Sequence, residues 1–361
     1  MDKPAAQGLK FPARLTVLIL AAVTVFAVLP CLPAGSRVRT AAAGVWRPLL
    51  RIYDRSAIAL GSDAIGNVYL TEKRMLRKTE QYDENGAEAS VRALNSFAQA
   101  ADVPVFLLAA PTAAGIYADT LPEQAPRADE RAMLQHTASV LSGDVTWIEV
   151  YSWLAAIRDE YLYFRTDSRW TAFGAYTAYK AAGRKLGYNP VGYDQMVITH
   201  KYSSYYGNLA QEIQYGRGAF APDLIDLYSV ENAPALSRIS SLTPDGQTEL
   251  TAYDQPECAD QSGNPYDVYA LNTEPMLQIE TGRTTGKSLL LLSDSYGASF
   301  LPLLFPHYRS LTAVNLELAG ETDWRGVLAD SGMEFQQILV LCSADSLAQG
   351  LLAERLSADG H

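Results

Sequence analysis

Three stretches of the chain are apolar almost without interruption: VPVFLLAAP around residue 105, KSLLLLSDS around 290 and FQQILVLCS around 340. Runs of this length, bounded by polar or proline residues, suit strands buried on both faces of a parallel sheet. Between them the period changes. In AEASVRALNSFAQAA, Val91, Leu94, Phe97 and Ala98 recur at helical spacing. Further helices are expected in ERAMLQHTASVL, SWLAAIRDEY and TAFGAYTAYKAAGRKLG, the last with Thr171 as N-cap and Gly187 closing it. Beyond residue 270 the order is strand (KSLLLLSDS), helix (YGASFLPLLF), strand (LTAVNL), helix (DWRGVLADSG) and strand (FQQILVLCS), and VTWIEV adds a short strand earlier. Such alternation predicts an α/β sheet with helices on both faces, and ligands in such folds gather at the carboxyl ends of the strands. Residues 190–270 show poor periodicity with frequent Gly, Pro, Asn and Tyr, and read as irregular.

The amino-terminal pattern differs. No charge falls between Arg14 and Arg37, and Leu15–Leu32 is long enough to cross a bilayer. Lys3, Lys10 and Arg14 precede it, which orients the amino terminus to the cytoplasm and exports the rest. An uncleaved anchor is expected, because the run exceeds an ordinary signal-peptide core; a cleaved signal peptide leaves the same bulk outside. The organisation read from the pattern is a cytoplasmic tail with a transmembrane anchor or signal over 1–36, a linker over 37–60, and one domain over 61–361. The expected location is the cell membrane, single-pass, with the bulk extracytoplasmic.

Composition narrows the function. The 361 residues are 48% hydrophobic and 19% charged, which is globular, and 29 basic against 40 acidic residues give a net charge of −11. Nucleic acid is excluded as a partner, since phosphate binding needs a basic face. Cys31, Cys258 and Cys342 have no metal-ligand spacing; Cys342 ends an apolar run as a buried small hydrophobe, and a Cys258–Cys342 disulfide stays open. No metal or cofactor is called for.

The candidate chemistry sits in two distant segments. Ser295, after SLLLLSD, falls at a strand-to-helix turn on the rim of the sheet, where backbone N–H groups can stabilise an oxyanion. Alone this is weak, because Ser and Asp also cap helices for structural reasons. The second segment is YLYFRTDSRWTAFGAY, residues 161–176, with Asp167 and Arg169 at its centre.

Taken in order, VFLLAAPTAAGIYADTLP, YFRTDSRWTAFGAY, YYGNL, DVYALNTEP and LLLLSDSYGASFLPLLFPHY resemble the DHHW family, relatives of the SGNH-hydrolase-like proteins of alginate O-acetylation. The resemblance spans roughly residues 60–350, with the Thr-Asp-x-x-Trp-Thr and Asp-Ser-Tyr blocks its most specific parts. It implies an SGNH-hydrolase-like, flavodoxin-like α/β/α sandwich with permuted catalytic blocks. It further implies Ser295 as nucleophile, Asp167 as orienter of the base, and Gly207, Asn272 and Tyr296 as oxyanion or substrate neighbours. The base itself falls on Arg169, where the family pattern has histidine, and Leu271 stands where relatives often have glycine.

Guanidinium has five donors and no acceptor, so Arg169 cannot take the serine proton, and its natural place is an ion pair with Asp167. Among the histidines, His361 is terminal, His136 lies on an expected surface helix, and His307 is about 15 Å along the helix that Ser295 opens. His200, in VITHKYSSYYGNL, is the one candidate substitute, with a plain loop histidine as the ordinary reading. Tyr202, Tyr205, Tyr206 and Tyr215 crowd the same region, either to stack on sugar rings or to pack a core. Two functions stay open. One is an acyl-esterase or O-acetyltransferase type of envelope protein, its catalysis weak or lost, acting with a cell-surface glycan or acylated polysaccharide and a membrane acyl-donor protein. The other is a non-catalytic glycan-binding or assembly component.

Overall fold

The computed structural model describes residues 61–79, 82–213, 220–320 and 323–357, together with Asp54, Ala57 and Ile58. A small antiparallel meander comes first: β1 (Ala64–Ile65), β2 (Val68–Leu70) and β3 (Met75–Arg77). The principal sheet contains β4 (Val105–Ala110), β5 (Val145–Trp147), β8 (Leu236–Thr243), β9 (Gly246–Glu249), β10 (Met276–Thr281), β11 (Ser288–Ser293), β12 (Ser310–Asn315) and β13 (Gln337–Ser343). Its order is β5-β4-β13-β11-β12-β10-β8-β9. The first five strands run parallel, and β10, β8 and β9 extend the sheet by antiparallel pairing. A separate two-stranded ribbon pairs β6 (Met196–Tyr205) with β7 (Asp223–Val230).

The continuous apolar runs are explained by two-sided burial. Along β4, Val105, Leu107 and Ala109 join one core, while Phe106, Leu108 and Ala110 join the other. The same alternation splits Leu290 and Leu292 from Leu289 and Leu291, and Ile338, Val340 and Cys342 from Leu339 and Leu341. On one face lie α1 (Glu84–Ala100), through Leu94 and Ala98, and α2 (Glu130–Val140), through Leu134. On the other lies α3 (Ala172–Leu186), through Ala175, Tyr176, Ala178 and Tyr179. Two dry faces allow a helical layer on each side, and burying a large apolar side chain stabilises by about 1.5–3 kcal/mol.

The ends of α3 follow the sequence closely. Thr171 Oγ1 accepts the Gly174 N–H at 3.2 Å, and Gly187 closes the helix at φ 82°, a left-handed conformation open to glycine at little cost. Elsewhere the structure differs from expectation. YGASFLPLLF is no single helix: a turn of α-helix at Gly297–Phe300 tightens into a 3₁₀ turn at Leu301–Leu304, where Pro302 lacks the N–H an α-helix needs. SWLAAIRDEY is helical only over Tyr151–Ala156. Residues 190–270, read as irregular, contain four strands; β6 is mostly solvent-exposed and its pairing with β7 is interrupted by bulges, which erases the period-2 signal. Cys258 and Cys342 are free thiols, so the disulfide left open is absent. Cys342 is buried in β13 as expected. The anticipated membrane span, Cys31, Tyr215 and His361 lie outside the described residues. Among the described residues no helix is long and apolar enough to cross a membrane.

Candidate functional site

Asp167 and Arg169 occupy a tight turn between Tyr163 and Trp170, which form an isolated antiparallel bridge. Trp170 is fully buried, and its Nε1–H donates to the Tyr296 carbonyl at 3.0 Å. Tyr296 in turn donates its hydroxyl to the Ser168 carbonyl at 2.7 Å. Two bonds thus join the turn to the residue after Ser295, and segments 126 or more residues apart meet at the carboxyl end of β11.

Within the turn, Arg169 donates Nε to Asp167 Oδ1 and Nη2 to Asp167 Oδ2, both at 2.8 Å. Nη2 also reaches the Tyr205 hydroxyl at 3.0 Å, and Nη1 reaches Asn272 Oδ1 at 3.2 Å. The Tyr266 ring lies beneath, its centroid 3.6 Å from Cζ. Asp167 has no exposed surface; beyond Arg169 it accepts from Tyr205 Oη at 2.5 Å and the Asn208 N–H at 2.9 Å. Burial by itself raises this carboxyl, but the guanidinium charge and the hydrogen bonds outweigh it and bring it down to about 2. Arg169, despite burial, is held still more firmly protonated by Asp167. The pair is a closed ionic unit that neither gives nor takes a proton near neutrality.

Ser295 follows β11 at its carboxyl end and is partly exposed. Its carbonyl accepts from Tyr266 Oη at 3.4 Å, and its N–H donates to Glu317 Oε2 at 3.0 Å. Asp294 beside it is buried and works as a brace. It accepts the Tyr296 N–H at 3.0 Å, the Ser343 N–H at 2.7 Å and the Ser346 hydroxyl at 2.8 Å, tying the β11 and β13 ends together. Burial, and then the nearby Glu317 charge, push its carboxyl up to about 6.

The other expected site residues are present, but their polar groups are already engaged. The Gly207 N–H donates to Thr166 Oγ1 at 3.0 Å, so it is not aimed at Ser295. Glycine is required there for space: a Cβ would stand 2.2 Å from the Asp167 Cβ. Asn272 bridges Arg169 and Asp267, donating Nδ2 to Asp267 Oδ1 at 2.7 Å. Tyr296 is buried and serves as the strut described above. Leu271 is fully buried, and its carbonyl accepts from Asn315.

None of the described histidines bonds to Ser295. His200 is exposed on β6 with Nδ1 2.7 Å from Asp226 Oδ1. His307 stacks on Tyr188 and meets the Tyr179 hydroxyl at 2.7 Å; burial and then Arg283 lower its imidazole to about 4. His136 is exposed on α2, as expected. Tyr205 is buried in the ion-pair unit, a packing role rather than a surface for sugars.

Three contributors were missed from the sequence. Tyr266 floors Arg169, Glu317 meets the Ser295 amide, and buried Asp223 accepts the N–H groups of Arg165 and Thr166 at 2.7 and 2.8 Å, holding the turn that delivers Asp167. Each acts across a long sequence separation, and no local pattern marks it.

A family model described as DHHW protein matches residues 54–314. Among solved structures, a DHHW family protein from Eubacterium siraeum DSM 15702 superposes with a TM-score of 0.64 at 21% identity, over 80% of this chain and 96% of its own. Bacillus cereus PatB1 with a sulfonyl adduct superposes with a TM-score of 0.63 at 17% identity, over 80% of this chain and 99% of its own. These likenesses establish a shared mixed α/β fold. No curated protein matches the chain by sequence.

Proposed function

Since the chain belongs to the DHHW family, we propose that it is an SGNH-like scaffold for serine acyl transfer whose base has been replaced, so that it holds an O-acylated glycan without turning it over efficiently. The observation that carries this is the two-pronged Arg169–Asp167 pair, at 2.8 Å on each prong, in the position where the family pattern has histidine. Ser295 needs a neighbour that accepts its proton as it attacks, and imidazole suits that near neutral pH. Guanidinium donates only. Asp167, which would orient an imidazole, neutralises the cation instead.

The glycan reading is supported by the resemblance of the sequence blocks around Asp167 and Ser295 to a family related to the proteins of alginate O-acetylation. The apolar amino-terminal run supports an extracytoplasmic location, single-pass at the cell membrane, with an acylated cell-surface polysaccharide as partner and a membrane protein as acyl donor. The engaged state of Gly207 favours the binding reading over the catalytic one, because its N–H is spent on Thr166 Oγ1 and is not a ready donor to an oxyanion.

A fluorophosphonate serine probe tests the proposal directly. The expected result is that intact-mass analysis of the wild-type chain shows no adduct at Ser295 under conditions that fully label an active serine esterase. Stoichiometric labelling of Ser295 would overturn it.

A further inference from the structure

β11 and β12 run parallel with Ser293 directly opposite Asn315, so the residues that follow each strand emerge side by side at the same end of the sheet. After Asn315 the chain turns at once into Leu316–Ala319. Asn315 Oδ1 accepts the Glu317 and Leu318 N–H groups at 3.1 and 3.3 Å, and its Nδ2 donates to the Leu271 carbonyl at 2.8 Å. Buried Asn315 therefore fixes this turn against the segment carrying Asn272. The Glu317 side chain, held at the start of the turn, places Oε2 3.0 Å from the Ser295 N–H.

That N–H matters chemically. In serine acyl transfer the carbonyl oxygen becomes negative as the tetrahedral adduct forms, and the nucleophile's own backbone N–H is one of the groups that stabilise it. A carboxylate on this N–H takes up the donor and sets a negative charge where negative charge must develop. Asp294, immediately before Ser295, already registers the Glu317 charge.

We infer that Glu317 is a second guard on Ser295, independent of Arg169: it occupies the oxyanion donor, and an acyl group enters only when it is displaced. The ester class that fits is neutral, since an acyl group with its own carboxylate meets Glu317 as a like charge. This rests on the reading of Ser295 as the acyl-transfer position. It also adds to that reading, because restoring the base leaves the oxyanion donor covered.

The test uses the full chain and a fluorophosphonate. In labelling, the Ser295 Oγ–P bond forms as the P–F bond breaks; fluoride leaves, and the serine proton passes to the imidazole introduced by Arg169→His. Labelling rates are compared for Arg169→His alone and combined with Glu317→Gln or Glu317→Ala. Loss of one oxyanion donor costs roughly 10²–10³-fold in comparable sites, so uncovering one with Glu317→Ala is expected to speed labelling by at least about tenfold. Glu317→Gln should give a smaller gain, because its amide oxygen still accepts from the Ser295 N–H. In parallel, the Ser295 amide proton of the Glu317→Ala chain should move upfield in a ¹H–¹⁵N spectrum.

An unmoved Ser295 amide overturns the contact. Labelling rates within about twofold across the three variants overturn the guard. If Arg169→His labels at a rate Glu317 does not affect, the guard alone falls. If no variant labels, both the guard and the acyl-transfer reading fall.

Discussion

Arg169 grips both oxygens of Asp167, Nε to Oδ1 and Nη2 to Oδ2 at 2.8 Å each, with Tyr205 bonded to both partners. The geometry leaves neither group free for proton transfer. It also makes each depend on the other, because a buried charge that loses its partner carries its full desolvation cost.

Arg169→Ala is therefore expected to destabilise the fold by about 3–5 kcal/mol at neutral pH, measured by chemical denaturation. The pH dependence follows from Asp167. Its carboxyl is held at about 2 in the folded chain, below its ordinary value of 3.8, so the folded state binds fewer protons in that interval. The pair's contribution is full above pH 4 and is lost as pH falls through about 2. The stability gap between wild type and Arg169→Ala should narrow over that window; a gap constant from pH 7 to pH 2 would show that Asp167 is not held by Arg169.

Gly207→Ala should destabilise by about 1–3 kcal/mol, since its Cβ would lie 2.2 Å from the Asp167 Cβ and 2.3 Å from Oδ2, in a site with no slack. Thermal unfolding checks this. A melting temperature unchanged from wild type would mean that Asp167 can move aside.

Asp294 titrates in the opposite sense. Its folded value of about 6 lies above the unfolded 3.8, so its contribution is full below pH 3.8 and is lost as pH rises through about 6. Its two oxygens accept three donors, and an amide in its place turns an N–H₂ toward one of them. Asp294→Asn is expected to cost about 1–3 kcal/mol, the range for a buried polar group left unpaired. Because asparagine does not titrate, the deficit should be larger at pH 4 than at pH 7 in urea titrations; the reverse slope would contradict the assignment.

The sequence carried the fold where residues meet a uniform environment. β4, β11 and β13 lie under helices on both faces, so their apolar runs read plainly, and α3 announces both ends through Thr171 and Gly187. The β6–β7 ribbon was illegible because one strand is largely exposed and bulged. At the site, Asp167 and Arg169 are two residues apart and their pairing follows from charge alone. Tyr266, Asp223 and Glu317 reach the site only through tertiary contacts. Glu317 is 22 residues from the amide it meets, and what joins them is the register of β11 against β12, which the local pattern does not contain.

The most direct measurement is the rate of hydrolysis of an activated acetyl ester by the wild-type chain, by Arg169→His, and by Arg169→His with Ser295→Ala, each confirmed folded by circular dichroism. General-base assistance is worth roughly 10²–10⁴-fold, so even an imperfectly placed imidazole gives a readable gain. The expected result is background hydrolysis for wild type, a clear rise for Arg169→His, and loss of that rise when Ser295 is removed. A wild-type chain already active through Ser295, or a folded Arg169→His chain still at background even when Glu317→Ala uncovers the Ser295 N–H, would contradict the claim that Arg169 stands where the base is missing.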